Sequence, residues 1–178
     1  MKRLLHAEFS VLSDYAAMTK PGISVMVLVT TVAGFFIASQ GHLALVPLLN
    51  VLFCTFLTAA AANSLNMLME IDTDKLMKRT ANRPLPAGRL RGSDVALFGG
   101  VCAIAGTVWL ALRVNLLTAG LAAATVATYL LVYTPLKRRT SLSTIAGAVP
   151  GALPPLIGWS AATGTLTFDA ADALQGVT

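Results

Sequence analysis

Charged side chains are scarce in this sequence: only 12% of its 178 residues are Asp, Glu, Lys or Arg, whereas 56% are hydrophobic. A soluble domain carries roughly 25% charged residues. So low a proportion in so apolar a chain argues against a soluble protein, and it leaves no soluble basic surface with which to bind nucleic acid. We therefore expect the lipid bilayer, and no nucleic acid, as a partner of this chain.

Cysteine and histidine are also scarce, with two residues of each. Cys54 and Cys102 lie in separate apolar runs without metal-ligand spacing, and we interpret them as small buried hydrophobic residues. His6 and His42 are far apart in the sequence. Neither residue type therefore predicts a metal site or a haem-ligand site.

Five long apolar runs make up most of the chain. They extend over about 22–38, 43–69, 95–112, 116–132 and 142–162, each near the roughly 20 residues that cross the hydrocarbon core of a bilayer. Because lipid offers the backbone no hydrogen-bond partners, each run is predicted to be helical. The predicted fold is all-α, a polytopic transmembrane helix bundle of about five spans in a single domain, residues 1–178.

The basic residues are distributed unequally between the two ends of these spans. Of the thirteen Lys and Arg residues, all except Arg113 precede the first run or lie in the loops after the second and fourth runs. Short cytoplasmic loops carry an excess of Lys and Arg. The pattern predicts a multi-pass protein of the cell inner (cytoplasmic) membrane with a cytoplasmic N-terminus.

Amides and acids come together where the second run ends. Asn66, Glu70 and Asp74 are spaced by four residues, so on a helix that continues to Asp74 they lie on one face. Asp72 points elsewhere on such a helix. Hard oxygen ligands of this kind suit Mg²⁺, which is commonly shared with a phosphate group.

Basic residues follow these acids directly. Lys78, Arg79 and Arg83 can bind phosphate through charge-assisted hydrogen bonds, which predicts a diphosphate held by magnesium and basic residues at the cytoplasmic end of an apolar cavity. The alternative is that the acids and amides are helix-end residues facing water and balanced by neighbouring charges. In that case 83–88 is a plain loop with turn residues. The residues alone leave both interpretations open.

The same residues resemble the UbiA superfamily of membrane prenyltransferases, whose first acidic motif is an Asn followed at four-residue steps by two acids. Two strings carry the resemblance, AANSLNMLMEIDTDKLMKRTANRPLPAGRL and YTPLKRRTSLSTIAGAVPGALPPLIGWSAATG. The second string, a basic loop followed by a Gly- and Pro-rich span, is similar to the haem O synthase branch in particular. The resemblance extends from about residue 19 to residue 168.

The resemblance implies an enzyme that transfers a farnesyl group from farnesyl diphosphate to haem B, making haem O for terminal oxidases, with oxidase assembly factors as further partners. It implies Mg²⁺ as the cofactor and Glu70 and Asp74 as the ligands of that metal. It also implies that Asn66, Glu70 and Asp74 are the catalytic residues. Substrate binding is implied for Asp72, Arg79, Arg83, Tyr133, Lys137 and Arg138. An ordinary positive cytoplasmic loop explains the charges of Lys137 and Arg138 almost as well.

The superfamily has further spans and a second acidic motif in a later cytoplasmic loop, and the five runs supply neither. We therefore expect a bundle truncated after the fifth span, similar to the N-terminal half of the family fold, with an incomplete magnesium site. Two other functions stay open: prenylation of an aromatic quinone precursor, and a membrane remnant without catalytic activity. A transporter is disfavoured because the centres of the runs hold no charge.

Overall fold

Five long helices dominate the computed structural model, which describes residues 11–40, 42 and 44–167. Each is long and apolar enough to cross a membrane, and this part of the chain contains no strand. The helices are α1 (Pro21–Ala38), α2 (Leu45–Met69), α3 (Gly92–Arg113), α4 (Leu116–Leu136) and α5 (Ser143–Thr163). The predicted all-α bundle of five spans is confirmed, and the chain is a multi-pass membrane protein.

The helix bounds differ from the predicted runs by a few residues. The third helix begins at Gly92 and the fourth continues to Leu136. Both extensions include polar residues at a helix end, which the length of an apolar run cannot reveal. His6, considered above, and two of the basic residues that precede the first span, Lys2 and Arg3, lie outside the described residues.

The spans form a ring in which each contacts the next, and α1 closes the ring by packing on both α2 and α5. One half of the interior is filled by a core that includes Phe35, Val51, Leu110, Ala122 and Ile157. These residues lie near the ends of the helices that are joined by short polar turns. The opposite half of the bundle holds the cavity described below.

Two glycines allow α1 and α5 to approach closely. A Cβ atom on Gly34 would collide with the carbonyl of Pro155, and one on Gly158 would collide with the carbonyl of Thr31. Small residues permit this kind of backbone contact between membrane helices. Three prolines inside α5, Pro150 among them, are tolerated because neighbouring helices can satisfy the freed backbone groups.

The long loop between α2 and α3 is folded against the end of the bundle. It contains a short helix, Ile71–Leu76, followed by turns, and its Leu85 and Leu90 are buried in a second core together with Met18, Met67 and Val95. Residues 11–18 are helical. The carboxylate of Asp14 accepts hydrogen bonds from the Arg89 guanidinium at 3.0 Å, which raises the pKa of Arg89.

The glycine contacts between α1 and α5 generate a prediction about stability. Gly34→Ala and Gly158→Ala should each lower the free energy of unfolding by about 1–3 kcal/mol, because the added methyl group overpacks a backbone contact. The measurement is thermal unfolding of the detergent-solubilised protein. Gly120→Ala is the matched control, since a Cβ there meets no atom. Equal unfolding temperatures for all three variants would contradict the close contact.

Candidate active site

The acidic motif lies at a break between two helices. α2 ends at Met69 and the short helix Ile71–Leu76 follows, because the backbone of Glu70 (φ −100°, ψ 9°) departs from the α-helical conformation. The amide of Glu70 still donates to the Asn66 carbonyl at 3.0 Å, and the amide of Asp74 to the Glu70 carbonyl at 2.8 Å. The helix is thus interrupted at Glu70, whereas the four-residue hydrogen-bond spacing is kept across the break.

All three side chains of this motif are buried. Asn66, Glu70 and Asp74 are only 3%, 6% and 4% exposed, and so they do not face water as helix-end residues would. Asp72, which lies between them in the sequence, is exposed. The structure therefore buries the residues spaced by four and leaves Asp72 at the surface.

Each buried carboxylate has a basic partner from another part of the chain. Glu70 Oε1 lies 3.2 Å from Lys137 Nζ, and Asp74 Oδ2 lies 2.6 Å from Arg83 Nη1. Glu70 Oε2 also accepts a hydrogen bond from Asn66 Nδ2 at 3.0 Å. Since an unpaired carboxylate is costly to bury, these partners explain how two acids are accommodated at the edge of an apolar bundle. We name Asn66, Glu70, Asp74, Arg83 and Lys137 the acid–base cluster.

A threonine of α4 joins the amide of the cluster to the fourth span. The Thr134 hydroxyl lies 2.9 Å from Asn66 Oδ1 and 2.8 Å from the Tyr129 carbonyl, and it can donate its one proton to either. Thr134 itself is only 2% exposed. The sequence does not identify Thr134, because no local pattern shows that α2 and α4 meet at this level.

The segment before Thr134 is a π-helix, Thr128–Tyr133. Its wider turn places the rings of Tyr129 and Tyr133 in a stack with centroids 5.3 Å apart. π-Helical turns inside α-helices are frequent at functional sites. Tyr133 was among the predicted residues, whereas Tyr129 was missed, since nothing in the sequence indicates the π-helical turn.

An apolar cavity of about 610 Å³ adjoins the cluster. Four spans line it, among others with Ile23 of α1, Ala62 of α2, Tyr129 of α4 and Gly151 of α5. Asn63, one helical turn before Asn66, and Tyr133, next to Thr134, also line it. The cavity therefore ends beside the polar residues, and its walls can hold an apolar chain while the cluster holds a charged group.

Lys20 is a basic residue near the cluster that sequence analysis counted only for membrane orientation. Its pKa is lowered, first because half-burial removes part of the side chain from water and then because of the nearby Arg83 and Lys137 cations, whereas Glu70 and Asp74 act in the opposite direction. A lysine directly before the proline that opens α1 was the available signal in the sequence.

The remaining predicted residues lie at the rim or outside the cluster. Arg138 Nη2 donates to the Met69 carbonyl at 2.9 Å and so contacts the end of α2. Arg79 and Asp72 are exposed, and neither forms a hydrogen bond or ion pair with residues that the structure describes. The structure thus brings Arg83, Tyr133, Lys137 and Arg138 toward the acids and leaves Arg79 and Asp72 at the surface.

Comparison with known families decides what kind of bundle this is. Residues 27–175 match the UbiA prenyltransferase family. The chain belongs to this family.

Curated relatives of this UbiA family member are named protoheme IX farnesyltransferase. The relative from Myxococcus xanthus is 46% identical, with 86% of this chain and 52% of the relative covered. The relative from Solibacter usitatus is 45% identical, with 86% of this chain and 56% of the relative covered. The relative from Mycolicibacterium smegmatis is 43% identical, with 88% of this chain and 51% of the relative covered. The chain spans about half the length of the curated relatives it matches.

A solved structure from a study of digeranylgeranylglyceryl phosphate synthase is similar in fold. The TM-score is 0.74 at 22% sequence identity, and the similarity covers 83% of this chain and 52% of that one. At this level of identity the likeness concerns the arrangement of the helices alone.

The carboxylates of this UbiA family member fit one kind of metal site and not another. No group of three or more His, Cys, Asp and Glu residues that could hold a metal ion occurs in the described ranges, so a cage built from these side chains alone is not formed. Mg²⁺ is usually bound through one or two carboxylates, with waters and substrate phosphates as the other ligands. Glu70 and Asp74 fit that second arrangement.

The Thr134 hydroxyl generates a prediction about the cluster. Thr134→Val keeps the shape of the side chain but leaves Asn66 Oδ1 without this donor, which should lower the unfolding free energy by about 1–3 kcal/mol. Thermal unfolding in detergent measures the change. Thr125→Val is the matched control, because the Thr125 hydroxyl bonds only the Leu121 carbonyl of its own helix at 2.8 Å. If the two variants unfold at the same temperature, the Thr134–Asn66 link does not stabilise the protein.

Proposed function

We propose that this protein takes part in the transfer of a farnesyl group from farnesyl diphosphate to haem B, the reaction that makes haem O. The observation that carries the proposal is the buried acid–base cluster at the end of an apolar cavity of about 610 Å³. The names of the curated relatives, protoheme IX farnesyltransferase, support this choice of donor and acceptor.

The cavity and the acid–base cluster bind different parts of farnesyl diphosphate. The isoprenoid chain occupies the apolar cavity, and the diphosphate lies at the cluster, where Glu70 and Asp74 would hold Mg²⁺. When bound, the metal supplies positive charge that stabilises the diphosphate as a leaving group. Arg83 and Lys137, which pair with the carboxylates at 2.6 and 3.2 Å, are within side-chain reach of the same group and bind it by charge-assisted hydrogen bonds.

Asn66 keeps the carboxylate of Glu70 in position. Its Nδ2 donates to Glu70 Oε2 at 3.0 Å, and its Oδ1 lies 2.9 Å from the Thr134 hydroxyl, so both polar atoms of the amide have a neighbour that can hold them. We retain Arg138 as a substrate-binding residue at the end of α2, and Asp72 and Arg79 as substrate-binding residues at the exposed rim.

The chemistry needs a water-poor site for the farnesyl carbon that loses its diphosphate. The carbon–oxygen bond to the diphosphate breaks, and the allylic carbon forms a bond with a vinyl group of haem B. Water then adds to the resulting cation and loses a proton, which leaves a hydroxyl group on the product. The apolar walls exclude water from the first of these steps, and the stacked rings of Tyr129 and Tyr133 present π-electrons to the developing cation.

The five spans provide part of the complete site. Because the chain spans about half the length of its curated relatives, we propose that these spans correspond to the N-terminal half of the catalytic bundle. Further helices would then supply the remaining cavity walls and the second acidic motif. We also propose that the protein lies in the cell inner membrane and meets terminal oxidase assembly factors there.

The buried carboxylates generate the central test. Glu70→Gln and Asp74→Asn should each weaken magnesium-dependent binding of farnesyl diphosphate by at least about tenfold, since even outer-shell partners of metal ligands contribute 10–100-fold to metal affinity. Binding is measured by equilibrium dialysis with membranes that carry the protein, and haem O formation from added haem B is followed by mass spectrometry. Asp94→Asn is the matched control, because Asp94 is exposed and outside the cluster.

Two results would contradict this function. One is that Glu70→Gln and Asp74→Asn bind farnesyl diphosphate as tightly as the wild type, which would show that the two carboxylates do not bind the donor. The other is farnesylation of an aromatic quinone precursor, rather than haem B, in a panel of acceptors, which would leave a prenyltransferase with a different substrate.

The proposed orientation has a separate test. Lys78→Cys, in the loop after α2, should react with a membrane-impermeant maleimide in inverted vesicles, and Thr165→Cys, after α5, in right-side-out vesicles. Both positions are exposed, whereas the native Cys54 and Cys102 are buried and provide the background. Labelling of the two variants from the reverse sides would refute a cytoplasmic N-terminus.

A further inference from the structure

Lys20 occupies a strained position that the fold holds in place. Its backbone has φ 48°, a left-handed conformation that is uncommon for residues other than glycine. The preceding carbonyl, that of Thr19, accepts hydrogen bonds from Asn63 Nδ2 at 2.9 Å and Ser24 Oγ at 2.7 Å. Such strain persists where the surroundings over-determine it and tends to occur at functional sites. The bonds to Thr19 fix the residue before Lys20 against Asn63, which lies one helical turn before Asn66 on α2.

The ammonium group of Lys20 lacks a partner of the kind that the charged residues of the acid–base cluster have. Glu70 is paired with Lys137, and Asp74 with Arg83. Lys20 makes no side-chain hydrogen bond or ion pair within 11–40, 42 and 44–167, although it is half-buried. Three cations, Lys20, Arg83 and Lys137, therefore face two carboxylates.

This excess of positive charge is unfavourable in the protein without a ligand. A buried cation costs free energy unless it is paired and hydrogen-bonded, and the nearby Arg83 adds repulsion. An anion with more than one negative charge relieves both effects at once. Ile23, three residues after Lys20, and Asn63, which bonds to the Thr19 carbonyl, both line the apolar cavity. The anion that fits is therefore one attached to an apolar chain.

We propose that Lys20 binds the diphosphate of the isoprenoid substrate, as a third basic residue beside Arg83 and Lys137. This inference rests on the proposed function and adds a binding residue to it. The long, flexible stem of lysine presents its ammonium as a point charge with three donors, so it can follow the phosphate oxygens. The alternative ligand of Lys20 is a carboxylate of the acceptor, and the experiment below distinguishes this carboxylate from the diphosphate.

The test compares Lys20→Met and Lys20→Arg with the wild-type protein in membranes. Lys20→Met should weaken binding of farnesyl diphosphate by roughly tenfold or more, since it removes a charge-assisted hydrogen bond. Lys20→Arg should restore most of the affinity. Lys75→Met is the matched control, because Lys75 is an exposed lysine of the short helix after α2. Inorganic diphosphate should displace farnesyl diphosphate less effectively from Lys20→Met than from the wild type.

A second measurement distinguishes binding from a structural role. Without ligand, Lys20→Met should unfold at the same temperature as the wild type or higher, because an unpaired half-buried charge is replaced by an apolar group of similar length. A lower unfolding temperature together with unchanged affinity would make Lys20 a structural residue and overturn the proposal.

The remaining outcomes separate this inference from the proposed function. If the wild type binds farnesyl diphosphate, Glu70→Gln weakens binding, and Lys20→Met does not, the inference fails while the function stands. If Lys20→Met weakens haem B binding and leaves farnesyl diphosphate binding unchanged, the anion is the acceptor carboxylate and the inference also fails. If Glu70→Gln, Asp74→Asn and Lys20→Met all bind farnesyl diphosphate as the wild type does, both are overturned.

Discussion

Two carboxylates buried at the edge of a membrane bundle must be neutralised, and this requirement determines the local structure around them. Glu70 and Asp74 come from the end of α2 and the short helix that follows, whereas their partners come from elsewhere: Lys137 from the end of α4, Arg83 from the loop. Each ion pair therefore ties two separate segments together. Because burial makes an unpaired carboxylate costly, the loop and the fourth span are held where the acids need them.

The pairing of the buried acids with basic side chains also produces an arrangement that is suited to binding a charged ligand. Charges that neutralise each other in the free protein can be shared with an incoming anion or cation, because neither partner is locked to the other by the backbone. The side chain of Lys137 is half exposed, whereas the side chain of Glu70 is only 7% exposed and also accepts a hydrogen bond from Asn66. The carboxylate thus has partners within the protein, and the ammonium is open to an incoming ligand.

The sequence predicted those features that depend on composition or on short spacing. The five spans follow from the length of apolar runs, and the approach of Asn66 to Glu70 and Asp74 follows from a four-residue period. Other features depend on contacts between distant segments. The break at Glu70, the π-helical turn before Thr134 and the position of Lys20 arise because α1, α2 and α4 meet at one level, and no local pattern reports which helices become neighbours.

The glycine contacts between α1 and α5 have a consequence for how a lipid-like molecule reaches the cavity. With Gly34 against the Pro155 carbonyl and Gly158 against the Thr31 carbonyl, the two helices leave no gap at that height. A hydrocarbon tail cannot pass between α1 and α5 at these contacts unless the two backbones separate. An entrance from the bilayer core must therefore lie at another height, between another pair of helices, or at the polar rim where the acids lie.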